Sequence, residues 1–82
     1  MPKYLLWVKP RIPSLIVELL RKNFLELAEG GEGGGTVEFG FGTEEDRERA
    51  APFFGIMNIR FCEAEGDFRG GERGDECWNE LF

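Results

Sequence analysis

The stretch LAEGGEGGGTVEFG, residues 27–40, lies where a helical pattern gives way to an alternating one, and the role of its glycines decides the fold. Phosphate-binding loops place glycines after a strand and before a helix, so that free amides and the positive helix end face the anion. Here the order is reversed. The glycines follow the helical pattern, whose carboxyl end is partially negative, and they bring Glu29 and Glu32 instead of a lysine. Neither the dinucleotide spacing nor the lysine-bearing nucleotide loop fits GGEGGGT. The sequence therefore predicts a helix stop at Gly30 and a flexible connector over residues 30–35.

Upstream, Ile16, Leu20, Phe24 and Leu27 recur at helical spacing, widened by Leu15, Leu19, Leu25 and Ala28. This predicts a long helix from Ser14 to Glu29, capped by Ser14, with an apolar face that must cover a sheet. Before it, KYLLWVK (residues 3–9) reads as a strand ended by Pro10. Tyr4, Leu6 and Val8 take one side and Leu5 and Trp7 the other, the pattern of a central strand.

Downstream, Thr36 to Gly42 alternates, with Val37, Phe39 and Phe41 on one face and Thr36, Glu38 and Gly40 on the other. If this strand shares a sheet with the first, the strand-helix-strand unit is expected to be parallel and right-handed. Thr43 and Asp46 have the spacing of a capping box, opening a short charged helix, EEDRERAA, that Pro52 should end. Along it, Glu45 can pair with Arg49 and Glu44 with Arg47. A further strand is expected from Ile56 to Ala64, then a polar, mobile loop over residues 66–76 and a last apolar turn, CWNELF. The whole, residues 1–82, reads as one small α+β domain: a single-layer sheet of three to four strands with one long and one short helix packed on it.

The net charge of -6 is unevenly placed. Residues 1–29 hold five basic and three acidic side chains, a net +2, whereas residues 30–82 hold five arginines against thirteen acids, a net -8. Such a surface repels a phosphate backbone and attracts a basic protein groove. Direct nucleic-acid binding is thereby disfavoured, and no run is apolar and long enough to cross a membrane. No signal-peptide core is present, so a cytoplasmic chain is expected, with Cys62 and Cys77 as thiols; in a secreted chain the two could pair.

Catalytic and metal signatures are lacking. With no histidine, nucleophilic catalysis has no imidazole base, and Cys62 and Cys77, fifteen positions apart, would need two carboxylates to complete a zinc site. The stretch EAEGDF does not fit a calcium loop. No enzyme, metal or cofactor is expected. Arg73-Gly74-Asp75 reproduces the integrin-binding tripeptide, a coincidence in a chain rich in all three residues.

The stretch EFGFG, residues 38–42, is similar to a fragment of the RNA-recognition motif, whose aromatics stack on bases. That likeness implies an alternative function, nucleic-acid binding through Phe39 and Phe41 on a sheet face. The motif's leading basic residue is absent, and acids surround the stretch. In size, acidity and absence of catalytic motifs the chain resembles, as a class, phage-encoded inhibitors such as anti-CRISPR proteins. This implies a viral protein that occupies the basic, nucleic-acid-binding surface of a protein partner. The residues expected to bind are Glu44, Glu45, Asp46 and Glu48, as bait for arginines, with Trp78 and Phe82 as apolar anchors. Exposed aromatics would serve a homodimer equally.

Overall fold

The structure, a computed structural model, describes residues 3–33 and 35–68. Its elements are β1 (Tyr4–Val8), α1 (Ser14–Asn23), β2 (Ala28–Gly33), β3 (Thr36–Phe41), α2 (Glu44–Ile56) and β4 (Phe61–Glu65). The strands form one antiparallel sheet in the order β2-β3-β1-β4. The fold is the expected α+β arrangement, and its topology is two interleaved β-α-β units. β1-α1-β2 straddles β3, and β3-α2-β4 straddles β1, which is the split β-α-β, or ferredoxin-like, order of elements.

This corrects the strand pairing. The strand at residues 36–41 lies beside β1 but runs antiparallel to it, because the chain first completes β2 and then turns back through a hairpin. Much of the presumed connector is therefore strand: β2 pairs with β3 from Ala28↔Gly40 to Gly33↔Thr36, with a register shift between Glu29 and Glu32. Gly35, at φ +76°, supplies the left-handed backbone that the turn requires.

The lengths of the helices are also reversed from expectation. α1 stops at Asn23, whose Nδ2 donates to the Leu19 carbonyl at 2.7 Å while Phe24 turns to an extended conformation. Its cap position is Pro13, with no side-chain bond from Ser14. Ile16, Leu20 and Phe24 are buried as predicted, yet Leu25 is 96% exposed. α2 runs through Pro52 to Ile56. A proline inside a helix costs about 3 kcal/mol. Against that, the extra turn buries Phe54 completely and packs Phe53 edge-on to Phe24, worth about 3–5 kcal/mol together. Packing wins.

The turn that closes α2 is a Schellman motif. Asn58 adopts φ 55°, its N–H donates to the Gly55 carbonyl at 3.1 Å, and the Ile59 N–H reaches back to the Phe54 carbonyl at 3.0 Å. Ile59 packs on the same core as Phe54, so β4 starts only at Phe61 and not at Ile56. At the other end of α2, Thr43 Oγ1 accepts the Asp46 N–H at 3.1 Å, the cap the sequence predicts.

Both helices cover one face of the sheet, where Leu6, Val8, Val37, Phe39 and Phe41 meet Ile16, Leu20, Phe24, Ala50 and Phe54. The opposite face is buried as well: Leu5, Trp7 and Cys62 form a second cluster, and Thr36 and Glu38 have no exposed surface. At the periphery, Arg21 grips Glu29 through two bonds of 2.7 and 2.8 Å, tying α1 to β2. Hydrogen bonding to Arg21 holds the Glu29 carboxylate below its ordinary pKa, and the same bond raises that of Arg21.

Two outcomes follow. Asn58→Gly should hold or raise stability, by up to about 1 kcal/mol, whereas Asn58→Val should lose about 1–2 kcal/mol, because only the former tolerates a left-handed backbone. Equal urea midpoints for the two variants would contradict the cap. For Glu29, a folded-state pKa below the unfolded one means that the ion pair contributes fully above the unfolded carboxylate range and fades as pH falls through the lower folded value. The stability gap between the protein and Arg21→Gln should accordingly shrink on acidification; a gap that is the same at neutral and acid pH would remove the pair from the account.

Candidate protein-binding surface

Helix α2 starts directly after β3 and lays its first turns across the end of the sheet where Tyr4 pairs with Glu65. This places Arg47, buried at 6% exposure, between the helix and the β4 edge. Its guanidinium lies over the Tyr4 ring, 5.6 Å from the centroid, and Nη1 donates to the Ala64 carbonyl at 2.7 Å. Three carboxylates surround it: Glu63 at 3.3 Å from Nε, Glu65 at 3.9 Å from Nη1 and Glu44 at 4.0 Å from Nη2. Nε makes no hydrogen bond, so its contact with Glu63 is electrostatic rather than directed.

One cation against three acids leaves this cluster with a formal charge of -2. The carboxylates are on the water side, with side chains 57% (Glu44), 44% (Glu63) and 64% (Glu65) exposed. Glu48 stands one helical turn beyond Glu44, and Glu45 lies beside it; both are exposed. Asp46 differs. Its side chain is 29% exposed and pairs with Arg49 at 3.2 Å, a partner that the sequence reading had given to Glu45. Arg49 in turn lies over Phe24, away from β4.

Of the residues singled out from sequence, then, Glu44, Glu45 and Glu48 share an outward surface and Asp46 is tied into its own helix. Trp78, Phe82, Cys77 and Arg73-Gly74-Asp75 lie outside the described residues. Glu63 and Glu65 were missed as part of the surface. Their signal was the alternation in FCEAE, which sets both acids on one side of a strand, but only the pairing of β4 with β1 brings that side to α2.

Phe39 and Phe41 are 2% and 1% exposed, under the helices. The register points them into the core beneath the helices, and the alternate positions of β3, on the opposite and also buried face, carry Thr36, Glu38 and Gly40. Because a shift of one residue exchanges the faces, the EFGFG stretch cannot offer its rings for base stacking. On that second face, Trp7 Nε1 donates to Glu38 Oε2 at 2.9 Å, a bond that offsets the burial of a carboxylate. Beside it Cys62 is disulfide-bonded, where a thiol was expected.

Among the described residues no group of three or more His, Cys, Asp or Glu is placed to hold a metal ion, and no helix is long and apolar enough to cross a membrane. No protein-family model matches the chain, and neither a curated protein nor a solved structure matches it.

Arg47→Met keeps the buried stem and removes the charge, leaving Glu44, Glu63 and Glu65 to repel one another. The expected cost is about 1–3 kcal/mol at low ionic strength, shrinking as salt rises. Denaturation curves that show no loss, or the same loss in high salt, would argue against an electrostatic clasp.

Proposed function

We propose that the chain is a small, acidic, non-catalytic binding protein that occupies a basic surface of a protein partner, one that otherwise holds nucleic acid, as phage-encoded inhibitors of the anti-CRISPR class do. The observation that carries this reading is a set of five exposed carboxylates, of which Glu44, Glu63 and Glu65, from a helix and a strand far apart in sequence, meet at Arg47, while Glu45 and Glu48 extend the negative charge along α2. The one guanidinium among them is buried and faces three of them at once. Such a patch steers an arginine- and lysine-rich surface toward it and competes with phosphate for the same cations.

Two of the five carboxylates, Glu45 and Glu48, hold no ion pair or hydrogen bond in the described structure and can be reversed without touching the Arg47 clasp. A partner is first captured from host cells on the immobilised chain. Its association is then followed across about 0.05–0.5 M salt, with Glu45→Lys/Glu48→Lys in parallel. The variant should associate about tenfold more slowly at low salt with a flatter salt dependence, and the bound chain should displace nucleic acid from the partner. A variant that associates like the original, or a complex in which nucleic acid stays bound, would refute the proposal.

A further inference from the structure

We propose that the outer edge of β4 receives an extended, lysine- or arginine-bearing segment of the partner as a fifth strand of the sheet. This rests on the reading of function above and names how the partner docks.

The hydrogen-bond phase of β4 is fixed by its ends. Gly66 N–H donates to the Lys3 carbonyl at 3.0 Å and Lys9 N–H to the Arg60 carbonyl at 2.9 Å. In an antiparallel pair every second residue is bonded to its neighbour, so Cys62 and Ala64, opposite Trp7 and Leu5, turn their amides to β1. Phe61, Glu63 and Glu65 therefore turn their N–H and C=O groups outward. β4 is terminal in the sheet order, and among the described residues no strand pairs with that side. The sheet's other edge, β2, is interrupted by the register shift between Glu29 and Glu32, which spoils it as a template. β4 is the regular edge, about 17 Å long.

Charge selects the occupant. A strand laid beside β4 would bring its own side chains to within about 5.5 Å of Glu63 and Glu65. Lysine or arginine there would pair with them and reach Glu44; an acidic or neutral strand would leave them uncompensated or repelled. A second copy pairing through the same edge would set Glu63 and Glu65 against their own counterparts, which opposes self-association. The acids thus act as a filter on an otherwise general template, admitting basic segments.

The test uses the full chain, isotope-labelled, and three synthetic peptides of about nine residues. The first alternates lysine with valine, the second is the same peptide N-methylated on alternate backbone nitrogens, and the third replaces lysine with glutamate. The lysine peptide should slow amide exchange at Phe61, Glu63 and Glu65 by about tenfold or more, leaving Cys62 and Ala64 unchanged. N-methylation should weaken binding by about tenfold, and the glutamate peptide should not bind. If both lysine peptides bind equally and perturb only the acidic surface, the edge is not used while the electrostatic reading of function stands. If neither binds, both are overturned.

Discussion

Leu5, Leu6, Trp7 and Val8 are consecutive, all buried, and on a strand whose side chains alternate between faces. Both faces of the sheet must therefore be covered at β1, and β1 must be flanked by strands on both sides. The antiparallel partners β3 and β4 supply the flanks, and α1 and α2 cover one face. The interleaved topology follows from the same demand. A helix that returns over the sheet leaves a gap of one strand between the two that it joins, and β1 fills the gap left by β3-α2-β4 as β3 fills the one left by β1-α1-β2.

How far the sequence revealed this depended on whether the deciding contact was local. β1, β3 and the Thr43 cap were legible because alternation and capping are set within a few residues. The end of α1 was not. Phe24 and Leu27 continue the helical spacing, but each reaches the core from a turn, so periodicity overran the helix by some six residues. β2 was hidden because AEGGEG carries no strand propensity and is held by its hairpin partner. Pro52 misled for the opposite reason, since tertiary burial of Phe54 outweighed the local cost.

The same division runs through the candidate surface. The acids of α2 stand next to one another in the chain and were visible as a cluster, whereas Glu63 and Glu65 join them only through the pairing of β4 with β1 and the reach of Arg47. Arg47 itself read as one half of a helical pair with Glu44. That pair exists at 4.0 Å, but it is the loosest of the contacts, and the shortest goes to a backbone carbonyl on another element. For Phe39 and Phe41 the alternation was right and the face was the question; register settled it in favour of the core.

Stability alone does not account for the number of acids. A buried guanidinium gains from one well-placed carboxylate and little from a third, since Arg47 spends its shortest hydrogen bond on Ala64 and meets the carboxylates at 3.3–4.0 Å. Protecting the β4 edge, which no strand among the described residues pairs with, accounts for Glu63 and Glu65 but not for Glu45 and Glu48, which stand on the helix and touch neither the edge nor Arg47 in the described structure. Each further like charge in a half-exposed cluster costs on the order of 1 kcal/mol, in a domain whose whole stability is on the order of 5 kcal/mol. On the proposed reading, a partner that brought its own cations would turn that repulsion into binding energy, because Glu44, Glu63 and Glu65 are already gathered at Arg47.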